Sequence, residues 1–285
     1  MNQKIQFCIN RIAASTQPFR PFAAMAQRLG VDCIEIRNDL KGVELSDGTP
    51  ASEISAVAAA HGLTIRSINA LQRFEQYDAE REAEARALAA YAQACGAQAL
   101  VLCPTNDRQD PRNAEQRHTD LVQALRQLRP LLNDHGLVGL IESLGFAECA
   151  VRRKSQAVQA ILETEQHLAG RCFELVHDTF HHHLAGETQM FPERTGLVHI
   201  SGVENDSLQV SEMRDEHRVL VGPKDRLGNL AQLREMLAQG YSGYLSFEPF
   251  AEDIIRAPDI ETRLGASMAY LREALAGAAS SSSVR

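Results

Sequence analysis

Short apolar runs of strand composition alternate with helix-patterned segments along nearly all of this 285-residue chain, and that alternation restricts the fold more than any other feature. The runs are residues 5–9 (IQFCI), Cys33–Ile36, Leu63–Ile68, Ala99–Cys103, Leu137–Ile141, Cys172–Val176, Leu197–Ile200 and Tyr244–Phe247. Helical spacing or composition fills residues 20–30, 51–61, 78–95, 113–134 and 154–168 between them. Strands separated by helices pair in parallel, because a crossover of that length cannot close a hairpin. A closed (β/α)8 TIM barrel is the economical α/β solution for about eight such repeats. Such a barrel takes about 250 residues as one domain, so residues 1–276 are read as a single domain. An open doubly wound sheet is the other solution, but no GxGxxG follows the first run and a dinucleotide site has no support. Gly277–Arg285 is rich in Gly, Ala and Ser and reads as a flexible C-terminal tail.

Several function classes drop out early. The net charge is −8 and the basic residues are scattered, whereas binding nucleic acid requires clustered Lys and Arg to neutralise phosphates. Cys8, Cys33, Cys103 and Cys172 fall inside strand-like runs, where free cysteine behaves as a small hydrophobe, and no CxxC pair occurs. No apolar stretch approaches a membrane span, and Met1 opens no charged and apolar leader. No membrane association and a reducing cytoplasm are therefore expected.

In a barrel the chemistry sits at the C-terminal ends of the strands, and here those ends carry Asn10, Arg37, Asn69, Glu142, Asp178, His199 and Glu248. Buried polar groups are costly unless paired, so seven at equivalent places argue for a wet, functional mouth. Glu142, Asp178, His199 and Glu248 end successive runs and would converge as a one-histidine, three-carboxylate metal site. That oxygen-rich set suits one divalent ion, Mn²⁺, Mg²⁺, Co²⁺ or Zn²⁺, rather than a thiolate-selected metal. Asn10, Asn69 and Arg37 are candidates to hold the carboxylates, and Asn69 is also a candidate substrate contact. In HDTFHHH, strand alternation sends Asp178 inward and leaves His177 packed between strand and helix. His181 and His183 follow within reach of a ligand at the metal, and His182 is expected to face solvent.

The ordered fragments CIN, IEIR (34–37), INAL (68–71), IESLGFAECAV (141–151), DTFHHH (178–183), VHI (198–200), RVLVG (218–222) and SFEPF (246–250) resemble the xylose isomerase-like TIM barrels. Within that superfamily the pattern is similar to the inosose isomerases (2-keto-myo-inositol isomerases). The resemblance implies a divalent metal on Glu142, Asp178, His199 and Glu248, binding two adjacent oxygens of a hydroxy-ketone. It further implies that Glu142 and Glu248 are the proton-transfer pair, on opposite faces of a metal-bound cis-enediolate, as in related sugar epimerases. Glu148 and His181 match positions that contact substrate oxygens, and Arg218, which matches an arginine of the inosose isomerase segment, is also read as a substrate contact. The substrate class is a small polyol, ketose or keto-inositol. Two departures stand out: Ser201-Gly202 replaces an acidic pattern, and Glu148 replaces an amide.

Three alternatives accompany this expectation. Loss of a β-hydroxyl from the same enediolate gives an inosose- or dehydroshikimate-type dehydratase. The related endonuclease IV class needs extra histidines after the third and fourth strands, where this chain has Asn69 and Pro104. A non-catalytic carbohydrate-binding barrel would have no need of both Glu142 and Glu248. Met190 and Phe191, after the sixth strand, could shape a lid, a homo-oligomer contact or local core.

Overall fold

A computed structural model describes residues 5–276 apart from 167 and 169, so the expected tail at 277–285 lies outside the described residues. The strands are β1 (Gln6–Asn10), β2 (Cys33–Arg37), β3 (Thr64–Gln72), β4 (Ala99–Cys103), β5 (Val138–Glu142), β6 (Phe173–Asp178), β7 (Thr195–Ile200) and β8 (Tyr244–Phe247). They pair in parallel in chain order, and β8 closes on β1. The crossover helices are α1 (Phe19–Arg28), α2 (Ala51–Ala60), α3 (Ala79–Cys95), α4 (Ala114–Asp134), α5 (Lys154–Glu165), α6 (Thr179–Ala185) and α7 (Asn229–Ala238). After β8 come the short α8 (Glu252–Ile255) and then α9 (Ile260–Ala276). The chain is thus a (β/α)8 TIM barrel. Among the described residues no helix is long and apolar enough to cross a membrane.

Local chemistry sets the element boundaries. Asp78 caps α3 by accepting from the Arg81 amide at 2.9 Å, and Gly96 ends that helix in the left-handed conformation that glycine adopts without strain. Asn113 caps α4 in the same way through the Gln116 amide. At the end of β6 the cap is also a site residue: the Asp178 carboxylate accepts from the amides of Phe180 (2.7 Å) and His181 (3.0 Å), so strand end and helix start meet on one side chain.

Strand alternation divides the buried apolar residues into two sets. Leu100, Leu102, Ile141, Leu175, Val198 and Ile200 pack in the large cluster shared with the helices. The residues between them, Val101, Leu140, Val176 and Leu197, form a separate cluster with Ala70, Ala99 and Cys103, which fills the barrel on the β4–β7 side. Around β1, β2, β3 and β8 the equivalent volume is polar, holding Asn10, Glu35, Ser67, Asn69 and Ser246, all 0–1% exposed. A third apolar cluster, Phe146, Cys149, Phe180, Leu184, Val203, Met213 and Leu227, is assembled by the loops after β5 and β7 together with α6. Met190 lies in the large core and the partly buried Phe191 packs against it, as the local-core alternative expects.

Candidate metal centre

Each strand end delivers its side chain by the same rule. Alternation points every second residue into the barrel, and the last inward position of β5, β6 and β7 is Glu142, Asp178 and His199; Glu248 follows β8 by one residue. One ligand atom from each of these four lies within 4.8 Å of the others, and all four residues are buried. His199 Nδ1 is the meeting point: Glu142 Oε1 lies 2.9 Å away, Glu248 Oε2 3.2 Å and Asp178 Oδ2 3.9 Å. The donor set is one nitrogen and three carboxylates, at a spacing that a single hard divalent cation can bridge.

The electrostatics call for positive charge at this point. Burial pushes the His199 imidazole down, but Glu248, Glu35 and Glu142 outweigh it and raise its pKa well above the ordinary range. Burial likewise raises Glu248, yet His199, Arg218 and Arg37 hold it well below the usual carboxylate range. A group of buried carboxylates is tolerated only where cations face it. Two guanidinium groups do so here. Arg218 Nη2 donates to Asp178 Oδ2 at 2.6 Å and to Glu248 Oε2 at 2.9 Å, and Arg218 Nε donates to Ser201 Oγ at 2.9 Å. Arg37 Nη1 donates to Glu248 Oε1 at 2.8 Å, and its other edge engages Asp39. Both guanidinium groups lie over the Phe250 ring, at 4.7 Å for Arg218 and 5.3 Å for Arg37.

The other expected residues divide by position. His181, in the first turn of α6, packs edge-on against Phe146 and Phe180 and is 4% exposed. Its Nδ1 is buried without a hydrogen-bond partner among the described residues. Asn69 commits its amide to Glu35 Oε2 (2.8 Å) and Ser67 Oγ (3.1 Å), so it serves the buried network. Glu148 pairs with Arg108 of the β4–α4 loop at 3.2 Å. His183 is half-buried beside Asp225 and the Leu227 backbone, on the segment after β7. His182 departs from expectation: it is buried, not solvent-facing, because its ring packs 4.8 Å from that of His177. His177 sits between β6 and the helices as alternation predicts, with Lys154 Nζ donating to its Nδ1 at 2.6 Å and Gln232 Oε1 3.0 Å from its Nε2.

Two neighbours were not anticipated. Cys103, the last residue of β4, places its thiol 3.5 Å from Glu142 Oε2. Glu35 is fully buried in the middle of β2 and stands beneath His199. The signal for Glu35 was present: if Arg37 points inward, so does the residue two positions before it.

An α/β barrel with a histidine and three carboxylates gathered at one mouth defines a class of proteins, and the sequence comparison narrows it. The profile of the xylose isomerase-like TIM barrels matches residues 23–274, and the chain belongs to that family. A xylose isomerase domain-containing protein of Salmonella typhimurium LT2 is 33% identical, with a TM-score of 0.87 over 95% of this chain and 99% of that one. The IOLI protein, solved with a bound zinc atom, shares the fold at 20% identity and a TM-score of 0.81, covering 96% of this chain and 99% of that one. An inosose isomerase of Bacillus licheniformis is 26% identical over 148 residues, a match spanning 50% of this chain and 50% of that relative's length.

Proposed function

We propose that this chain is a divalent-metal-dependent isomerase or epimerase that moves a proton at the carbon beside a carbonyl, in a keto-inositol or a ketose-like polyol. The observation that carries the reading is the approach of two carboxylates, Glu142 and Glu248, to one ring nitrogen of His199, Nδ1, beside a third, Asp178. Glu142, Asp178, His199 and Glu248 would hold the ion; Mn²⁺, Mg²⁺, Co²⁺ and Zn²⁺ all suit the donor set. The zinc of the similarly folded IOLI protein and the name of the inosose isomerase relative support this reading. When bound, such an ion supplies Lewis-acid polarisation of a carbonyl.

The chain's own groups account for the rest. Glu142 and Glu248 enter from different strands, so a substrate between them meets a carboxylate on either side. One removes a proton, and the other returns one to the opposite face or the neighbouring carbon. His181, whose amide is held by Asp178 at the start of α6, would contact a substrate hydroxyl, as the family resemblance implies. Arg218, with Phe180 and Phe250 against its guanidinium, holds Asp178 and Glu248 in place and offers positive charge at the mouth.

Deuterium uptake from D₂O, screened over several inososes and ketoses with the metal-loaded protein, tests the proposal. Exchange beside the carbonyl with conserved product mass is the expected result. Loss of water from the product would assign a dehydratase, and no exchange with any substrate would overturn proton transfer altogether.

A further inference from the structure

The barrel interior of this family of folds is ordinarily filled by branched apolar side chains, yet Glu35 sits there with 0% of its surface exposed. It is surrounded by donors from four other strands. Asn10 Nδ2 (3.3 Å) and the Ser246 hydroxyl donate to Oε1, and Ser67 Oγ (2.6 Å) and Asn69 Nδ2 (2.8 Å) donate to Oε2. The fifth partner is His199, whose Nε2 lies 3.1 Å from Oε1 and 3.2 Å from Oε2. An ionised carboxylate accepts and cannot donate, so every group facing it must present a hydrogen. The hydroxyls and amides satisfy that condition, and His199 satisfies it only with a proton on Nε2.

We infer that Glu35 is a positioning residue that holds a proton on His199 Nε2 and so orients the ring, leaving Nδ1 as the nitrogen that would ligate an ion shared with Glu142, Asp178 and Glu248. This rests on the metal-site reading above and deepens it. The opposite ring nitrogen of a metal-ligating histidine is characteristically hydrogen-bonded to a carboxylate or carbonyl, which orients the ring and raises its basicity. Geometry supports the assignment from both sides of the ring. Nδ1 has three carboxylate oxygens within 3.9 Å, between which an ion could lie, whereas Nε2 has Glu35 as its one partner among the described residues. Because its donors come from β1, β3 and β8, Glu35 also ties the orientation of a β7 side chain to strands that contribute no ligand other than Glu248.

Two measurements test this. The first needs no variant: ¹⁵N spectra of the histidine rings in the wild-type protein titrated with Zn²⁺, with His199→Gln identifying the His199 signals. The inference expects a slowly exchanging proton on His199 Nε2 and a metal-shifted Nδ1; a metal-shifted Nε2 with a protonated Nδ1 would overturn it. In the second, Zn²⁺ affinity is measured by competition with a chromophoric chelator for wild type, Glu35→Gln and Ser67→Ala. Glu35→Gln is expected to weaken Zn²⁺ binding by about 10–100-fold. Ser67→Ala, which removes a Glu35 donor and leaves the His199 contact, should stay within a few-fold of wild type. Equal affinity in Glu35→Gln and wild type, or equal losses in both variants, would reduce Glu35 to a structural residue. If wild type binds no Zn²⁺ and His199→Gln changes nothing, the metal-site reading itself fails, a result distinct from either of these.

Discussion

Glu142 and Glu248 approach the same atom, His199 Nδ1, at 2.9 and 3.2 Å, but their remaining contacts differ in kind. Glu248 is gripped at both oxygens, by Asn10 and Arg37 on Oε1 and by Arg218 on Oε2. The other oxygen of Glu142 faces the Cys103 thiol, a weak donor. One carboxylate is anchored by charge, and the other keeps an oxygen without a strong partner among the described residues.

That asymmetry separates two variants. Glu142→Gln is expected to fold with nearly wild-type stability and to lose about 10²–10⁴-fold in turnover even when metal-loaded. Glu248→Gln leaves two buried guanidinium groups short of a carboxylate and is expected to lose turnover together with about 3–5 kcal/mol of stability. Initial rates, metal content and denaturant midpoints measured on the same preparations make the check. A fully active, metal-loaded form of either variant would refute the two-carboxylate mechanism.

Removing the metal should abolish turnover and lower stability together, because among the described residues only Arg37, Arg218 and His199 then bring positive charge to the buried carboxylates. Restoring an ion at about 100 times its dissociation constant is expected to recover about 2.7 kcal/mol. Activity and thermal midpoint followed through chelation and return of Mn²⁺, Co²⁺, Mg²⁺ or Zn²⁺ read both effects. Turnover that survives exhaustive chelation would count against a metal enzyme.

Lys154 gives a pH signature unrelated to catalysis. Burial drives its amine down from 10.5 to about 7, against the opposing pull of Glu187 and Glu235. The amine faces His177 Nδ1 from β6 and donates to the Met190 carbonyl at 3.1 Å. The burial cost is borne in full below about pH 7 and vanishes above about pH 10.5. Between those limits the unfolded chain carries a proton that the folded chain has released, so stability rises with pH by up to ~1.4 kcal/mol per unit. Urea unfolding from pH 7 upward should show this rise in wild type and a flatter profile in Lys154→Met. Identical slopes would mean that the amine is charged in the folded protein.

Gly145 has φ +72° in the loop after β5, and a Cβ there would collide with the His181 carbonyl oxygen. Gly145→Ala is therefore expected to cost about 1–3 kcal/mol through backbone strain and to displace the first turn of α6. A raised KM alongside a lowered denaturant midpoint is the expected pair of readings. An unchanged midpoint would show that the loop relaxes freely.

The four candidate ligands were legible in the sequence because each closes an apolar run whose alternation leaves one inward choice. Glu142 and Asp178 follow directly from that rule, and His199 and Glu248 follow once β7 and β8 are counted as barrel strands. The burial of His182 is not legible in the sequence, because it depends on how α6 packs against β6 and its neighbours, a relation with no local pattern. Glu35 lies between two isoleucines in β2, and a carboxylate in mid-strand acquires meaning only when its partners are known. Those partners, Asn10, Ser67, Asn69, His199 and Ser246, are up to 211 positions away in the chain.

By itself the sequence determined the repeat, the parallel closure and the end of the barrel at which polar side chains collect, since periodicity and chain direction are local properties carried by each segment. The tertiary structure decided which atoms face one another: His199 Nδ1 towards three carboxylates, Nε2 towards Glu35, and Glu248 rather than Glu142 between two guanidinium groups. Several of those pairings join strands that are not neighbours in the barrel, as β2 and β7 do through Glu35 and His199. They depend on register and closure, which exist only once all eight strands have paired.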